Sequence, residues 1–218
     1  ATYRRAFNQL NLLIPGWVPD RVMLDFERAA INALRIQWPN TQINCCFFHL
    51  NQNIWKKIQA LGLATFYSED VGNATKLRMI SALAFVPPGE VVNSWDELLR
   101  VLQPWIQQQT ADVQQKIDDL LMYFELNYIG QNIAGLRREP RVVSIDLWNV
   151  RTRTLEHYRR TDNEVEGFHM KVAHTVGAQF PNLWKYLKGL QGLQVETEKL
   201  IEEWMRSVGT KTKTRIYS

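Results

Sequence analysis

Apolar positions fall into two rhythms along the chain. From Ala1 to Ile14 the spacing predicts a short helix stopped by Pro15 and Gly16. Val22, Leu24 and Phe26 then alternate with Met23 and Asp25, the period of a strand, which places Asp25 at the strand's carboxyl end. A helix follows from Arg28, with Ile31, Leu34 and Trp38 on one face and Pro39 closing it. Gln42 to Phe48 reads as a second, buried strand, and Leu50, Ile54, Ile58 and Leu61 stripe the next helix, with Gly62 placed to cap it. Helix, strand, helix, strand, helix is an α/β order.

From Tyr67 to Gln131 the strand period vanishes. Leu77, Ile80 and Leu83 mark one helix, and Val113, Ile117, Leu120 and Phe124 another. Pro87 and Pro88 break the run, and Ser94 with Glu97 has the spacing of a capping box before Leu98 and Leu102. This block predicts an all-helical insertion. Helical spacing resumes at Val165, Phe168, Val172 and Val176, and Pro181 opens a long last helix through Leu187, Leu190, Leu193 and Leu200. The expected division is residues 1–62, an α/β part; 63–136, the helical insertion; 137–160, a connecting segment; and 161–218, C-terminal helices.

Composition narrows the class. With 45% hydrophobic residues and eight tryptophans, disorder and low complexity are excluded. No apolar run approaches the ~18 residues of a membrane span, and the first ten residues lack the apolar core of a signal peptide, so a soluble intracellular protein without a membrane partner is expected. The only cysteines, Cys45 and Cys46, are adjacent and badly placed for a disulfide with each other, which fits a reducing compartment. The net charge is +4, and between residues 137 and 160 seven arginines against Glu139, Asp146 and Glu156 carry all of it. Arg137, Arg138, Arg141, Arg151, Arg153, Arg159 and Arg160 are therefore candidate contacts to DNA phosphates, since the guanidinium fork matches that group; a solvated arginine-rich connector accounts for them equally well. Lys211, Lys213 and Arg215 read as a frayed tail or a minor phosphate contact.

Three clusters could carry chemistry. Asp25, in Leu24-Asp25-Phe26-Glu27, sits where ligands meet α/β sheets, although Asp25 or Glu27 could equally cap the helix that follows. Cys46-Phe47-Phe48-His49 has half the ligands of a zinc site; a packed cysteine and a hydrogen-bonded histidine, holding the strand and the next helix in register, are the preferred reading. Glu166 lies at the edge of the apolar stripe of Val165, Val172 and Val176 and can face a cleft, whereas Thr161 with Glu164, or Asn163 with Glu166, has capping-box spacing. No phosphate-binding glycine loop, Gly-x-Ser-x-Gly elbow or His-Glu-x-x-His occurs, and no small-molecule substrate is indicated. Carboxylates meeting in space could still hold two metals for phosphoryl transfer.

Taken in order, Leu24-Asp25-Phe26-Glu27 with Ala30, Cys46-Phe47-Phe48-His49-Leu50 with Gln52, and Asn163-x-x-Glu166-Gly167-Phe168-His169 resemble the transposase domain of Mutator-like (MULE) DNA transposons. Ala82 to Pro87, Trp148-Asn149-Val150 and Phe180 to Trp184 add to the likeness, which runs from about Pro19 to Gln194. The resemblance implies an RNase H-like fold interrupted by a helical insertion, here in part. It also implies a nuclear protein that cleaves and joins DNA strands with two Mg2+ or Mn2+ ions held by three acids. Asp25 matches the second acid and Glu166 the third, so the two are expected to converge on one metal pair. Cys46 and His49 match the family's Cys-x-x-His.

The family's first acid, on an earlier strand, has no counterpart, since Asp20 lies too close to Asp25. The chain accordingly reads as the C-terminal part of a longer protein, inactive in cleavage alone and prone to self-association through the exposed edge of the strand before Asp25. Two rival readings are a domesticated or decayed transposase serving as a non-catalytic DNA-binding or protein-interaction module, and an unrelated helical scaffold in which the motifs are caps and core.

Overall fold

Helix α1 (Thr2–Leu13) ends before Pro15 and Gly16, and its Phe7 packs on Trp38 with ring centroids 5.5 Å apart. Strand β1 (Arg21–Leu24), helix α2 (Arg28–Gln37) and strand β2 (Gln42–Cys45) form a β–α–β unit in which the strands pair in parallel, from Arg21 with Gln42 to Leu24 with Cys45. Parallel neighbours need such a crossover, and α2 buries Ala30, Ile31, Ala33 and Leu34 in making it. The computed structural model describes residues 2–161, 167, 170–172, 174–175, 177 and 182–208, and the chain divides into two units, Ala1–Asp162 and Asn163–Ser218.

The second strand is shorter than its apolar run predicts. The Cys46 amide still donates to the Leu24 carbonyl at 2.9 Å, but helix α3 (Phe47–Ala60) begins at the next residue. Burial decides the change of period. Phe47, Leu50, Ile54 and Ile58 share one helical face, the last three in the core, and Phe47 meets Phe85 edge-on at 5.1 Å. Gly62, at φ +71°, follows the end of α3 in the left-handed conformation that its sequence position suggests.

Helices α4 (Ala64–Glu69), α5 (Val71–Ala82), α6 (Val91–Ile106) and α7 (Ala111–Phe124) fill the stretch without strand periodicity, with short 3-10 turns at Leu83–Phe85 and Pro88–Glu90. Helix α6 starts earlier than the Ser94–Glu97 pair predicts. Val91 and Trp95 are fully buried and continue the stripe of Leu98, Leu102 and Ile106 backwards, while Glu97 pairs with Arg100 at 2.6 Å instead of capping. Packing of an apolar face outweighs a local cap.

After α7 comes a π-helical turn (Glu125–Ile129) and a hairpin that the sequence reading lacks, β3 (Asn132–Ile133) antiparallel to β4 (Leu136–Arg137). Its turn residues, Ala134 and Gly135, have φ of 52° and 84°, as a tight hairpin requires; Ala in place of Asn or Asp hid the signal. Helices α8 (Ile145–Trp148) and α9 (Arg151–Leu155) complete the first unit.

One core joins these elements. The Phe124 ring lies 5.5 Å from Trp95, 5.1 Å from Tyr128 and 5.8 Å from Trp148, and the Trp148 indole N–H donates to the Tyr128 carbonyl at 3.0 Å. Phe26, next to Asp25, meets Tyr128 edge-on at 5.6 Å. The expected α/β part, insertion and connector thus share a single apolar interior. In the second unit, α10 (Leu183–Val208) opens with the Asn182 side chain accepting from the Lys185 amide at 2.9 Å. Pro181, Val165, Phe168 and Val176 lie outside the described residues. Among the described residues the chain is mostly helical, with two two-stranded sheets, and no helix is long and apolar enough to cross a membrane.

Gly130 has φ +93°, and a Cβ there would lie 1.9 Å from the Arg138 carbonyl oxygen. Gly130→Ala should therefore cost about 2–3 kcal/mol in urea unfolding. Gly135→Ala, in open space at φ +84°, should cost only about 1 kcal/mol.

Candidate functional site

Asp25 directly follows β1 and Cys45 ends β2, so both stand at the carboxyl end of the parallel pair. The Asp25 side chain is 59% exposed, and its Oδ1 is 3.0 Å from Nδ1 of His49, whose side chain is only 21% exposed. The early start of α3 is what puts His49 on that helix's first turn, beside Asp25.

Neither acid of Asp25-Phe26-Glu27 closes α2 with its side chain. Glu27 holds the N-cap position, but its carboxylate accepts from the Tyr3 hydroxyl instead, which raises the pKa of that hydroxyl. The first amides of α2, from Ala30 and Ile31, go to the Glu27 carbonyl at 3.1 Å.

Neither Cys45 nor Cys46 forms a disulfide, and both are fully buried. Burial pushes the Cys45 thiol up to about 12, against the opposing pull of the Arg153 guanidinium. Among the described residues no group of three or more His, Cys, Asp or Glu is arranged to hold a metal ion. The described residues by themselves thus complete no metal site around Cys46 and His49 or around Asp25. Glu166 lies outside the described residues, as do Asp162 and His169.

The arginines separate into two sets. Arg153, expected at a phosphate, is 6% exposed; its Nη2 donates to the carbonyls of Cys45 at 2.8 Å and Asn149 at 3.3 Å. Its Nε and Nη1 have no hydrogen-bond partner among the described residues, and desolvation lowers its pKa. Arg153 thus fastens α9 to the end of β2 and is turned away from any surface ligand, which corrects the sequence reading. Arg137 is also engaged, with Asp96 at 3.1 Å, Glu125 at 3.5 Å and the Gly130 carbonyl at 2.7 Å.

Arg138, Arg141, Arg151, Arg159 and Arg160 are exposed. Arg151 and Arg160 both meet Phe85, the first through a 3.3 Å bond to its carbonyl and the second with its guanidinium 5.9 Å from the ring centroid. Arg21, which sequence reasoning missed, stacks 3.7 Å above the Tyr158 ring and pairs with Glu156 at 3.7 Å. Only the fold brings the start of β1 to the end of α9, so no spacing could have revealed it. A cleft of about 270 Å³ between α3 and α5 is lined by Asn51, Trp55, Tyr67 and Arg78, and a groove of about 410 Å³ by Arg137, Arg138, Glu139 and Asp146; Asp25 lines neither.

Residues 1–53 match the family model of the MULE transposase domain. The MULE segment runs from α1 into α3 and contains Asp25, Cys46 and His49; it covers 53 of the 218 residues. No curated protein and no solved structure matches the chain. The parallel pair and the Asp25–His49 contact both fall inside the MULE segment, whereas the arginines of residues 137–160 fall outside it.

The Cys45 thiol titrates near 9 when unfolded and near 12 when folded, so the folded state keeps its proton longer. Its contribution to stability is fully present below pH 9 and is lost as pH rises toward 12, by up to about 1.4 kcal/mol per pH unit. Guanidinium unfolding of wild type and Cys45→Ala over this range should show the slope reduced in the variant; equal slopes would refute the assignment.

Proposed function

We propose that the chain is part of a MULE-type transposase that acts on DNA, and that Asp25 and Glu166 are acids holding Mg2+ or Mn2+ for strand cleavage and joining. The observation that carries this reading is Asp25 itself, an exposed carboxylate at the carboxyl end of a parallel strand pair inside the MULE segment. The metals, when bound, supply an activated oxygen nucleophile and stabilise charge on the leaving oxygen. The described part of the chain keeps Asp25 in place. Phe26 is packed on Tyr128, and His49 stands at one carboxylate oxygen while most of the side chain remains in solvent.

In this reading β1, α2 and β2 belong to an RNase H-like core and α4 to α7 to a helical insertion. The exposed Arg138, Arg141, Arg151, Arg159 and Arg160 contact phosphates, which positions DNA without reading its sequence. A nuclear location goes with that activity.

Fluorescence anisotropy of duplex DNA with residues 1–218 tests the DNA contact. Arg151→Ala with Arg160→Ala should reduce the slope of log K against log salt by roughly 0.9 per lost phosphate contact, while Arg153→Met leaves it unchanged. An unaltered slope in the first variant removes these arginines from the interface. In the full-length protein, Asp25→Asn and Glu166→Gln should each abolish plasmid cleavage with Mg2+ or Mn2+ and retain DNA affinity. Retained cleavage refutes the metal-binding role, and DNA binding without cleavage by the unaltered full-length protein favours the non-catalytic module.

A further inference from the structure

Asn51, Ile54, Trp55 and Ile58 recur at the three- and four-residue spacing that puts them on one face of α3, and Leu77, Arg78 and Ser81 do the same on α5. Between the two faces lies the cleft of about 270 Å³, with Tyr67 of α4 as a further wall. Its aliphatic lining is the buried Ile54, Ile58 and Leu77. Trp55 is 36% exposed, and its ring meets that of Tyr67 with centroids 5.1 Å apart and planes at 61°. Aromatic walls on an aliphatic lining select a flat apolar ring. An apolar cavity of about 150 Å³ is enough for one benzene ring, so the volume here admits one or two fused rings with a substituent.

Charge supplies the second requirement. Arg78 is the charged residue among those lining the cleft, and no acid joins it there. Its Nε donates to the Tyr67 hydroxyl at 2.6 Å, which holds the guanidinium beside the aromatic wall, 5.3 Å from the ring centroid. A guanidinium that only fastened α4 to α5 would need no more than that bond. The N–H groups of Nη1 and Nη2 have no partner among the described residues, and Arg78 forms no ion pair with them. A fork held at one corner and open along its outer edge matches a carboxylate or a phosphate. The Asn51 side-chain amide and the Ser81 hydroxyl donate to carbonyls of their own helices, at 2.8 and 3.0 Å, so discrimination by charge falls to Arg78. We propose that this cleft binds a small aromatic anion, one or two rings wide, with its ring against Trp55 and its charged group at Arg78. The site is independent of the transposase reading, and its test involves no DNA.

Nuclear magnetic resonance of nitrogen-15-labelled residues 1–218 reads binding at the Trp55 indole N–H, whose peak is assigned by its loss in Trp55→Phe, and at the Asn51 side-chain amide. The probes are indole-3-acetate and adenosine monophosphate, with indole-3-acetamide and adenosine as their uncharged counterparts. At least one anion should shift both peaks with a dissociation constant of about 1 mM or below, and its uncharged counterpart should bind roughly tenfold more weakly. Arg78→Gln should bring that anion down to the affinity of its counterpart while the counterpart binds as before, a split that damage to the cleft would not produce. Trp55→Ala should abolish the Asn51 shift with either form, and circular dichroism checks that the variants keep their helices. The tighter anion identifies the source, a nucleotide or an aryl carboxylate, and either supports the site. The proposal is overturned if neither anion moves the Trp55 and Asn51 peaks at about 10 mM. It is equally overturned by charged and uncharged probes that bind alike, or by anion binding that survives Arg78→Gln.

Discussion

The contact on which the first unit depends is the stack of Phe26, Tyr128, Phe124 and Trp148. A two-stranded parallel sheet cannot bury its own faces and is not stable in isolation. Here its cover comes from residues a hundred positions further along: the ring of Phe26, one residue past Asp25, is held by Tyr128, whose carbonyl is in turn fixed by the Trp148 indole. Each ring pair adds about 0.5–1.5 kcal/mol beyond its buried area. Asn53 of α3 donates to the Tyr128 hydroxyl at 3.2 Å, so the helix that carries His49 is tied to the same ring. Asp25 and His49 therefore keep their 3.0 Å separation only while the helical block is folded against the sheet.

The far side of the site is held by a more expensive device. A guanidinium buried with two nitrogens unsatisfied costs desolvation energy that its two carbonyl contacts only partly offset. What Arg153 gains in position is specific. It reaches the Cys45 carbonyl, a free acceptor where the ladder stops because α3 begins, and the Asn149 carbonyl on the approach to α9. The strand that ends early to form α3 leaves an unpaired carbonyl in the interior, and Arg153 meets it.

How legible this was from the sequence follows from where each determinant lies. The β–α–β order, the end of α1 and Gly62 were readable because local spacing and breakers set them. The end of β2 was not, because Cys45 to Phe48 is apolar in either period and only contact with Phe85 and the core resolves it. Ser94 and Glu97 satisfied a local rule that burial of Val91 and Trp95 overrode. For the site, Asp25, Cys46 and His49 were legible as residues, yet the Asp25–His49 contact was not, since it joins two elements through the parallel register. Arg153 was misread for the same reason: nothing in a run of seven arginines marks the one that faces inward.

That inward turn changes the electrostatics of the whole segment. Summed along the sequence, residues 137–160 hold the chain's entire excess of positive charge. Summed on the surface they do not, because Arg153 is buried and Arg137 is matched by Asp96 and Glu125. The exposed arginines are left beside Glu139, Asp146 and Glu156, with Arg21 added from the start of β1 but paired to the last of these acids. The field offered to a polyanion is thus weaker than the composition suggests, and attraction at long range is correspondingly modest. What the fold supplies instead is fixed geometry: Arg151 and Arg160 both lean on Phe85, whose ring packs on Phe47 at the start of the helix that carries His49, so the cationic surface and the Asp25 carboxylate are parts of one rigid framework.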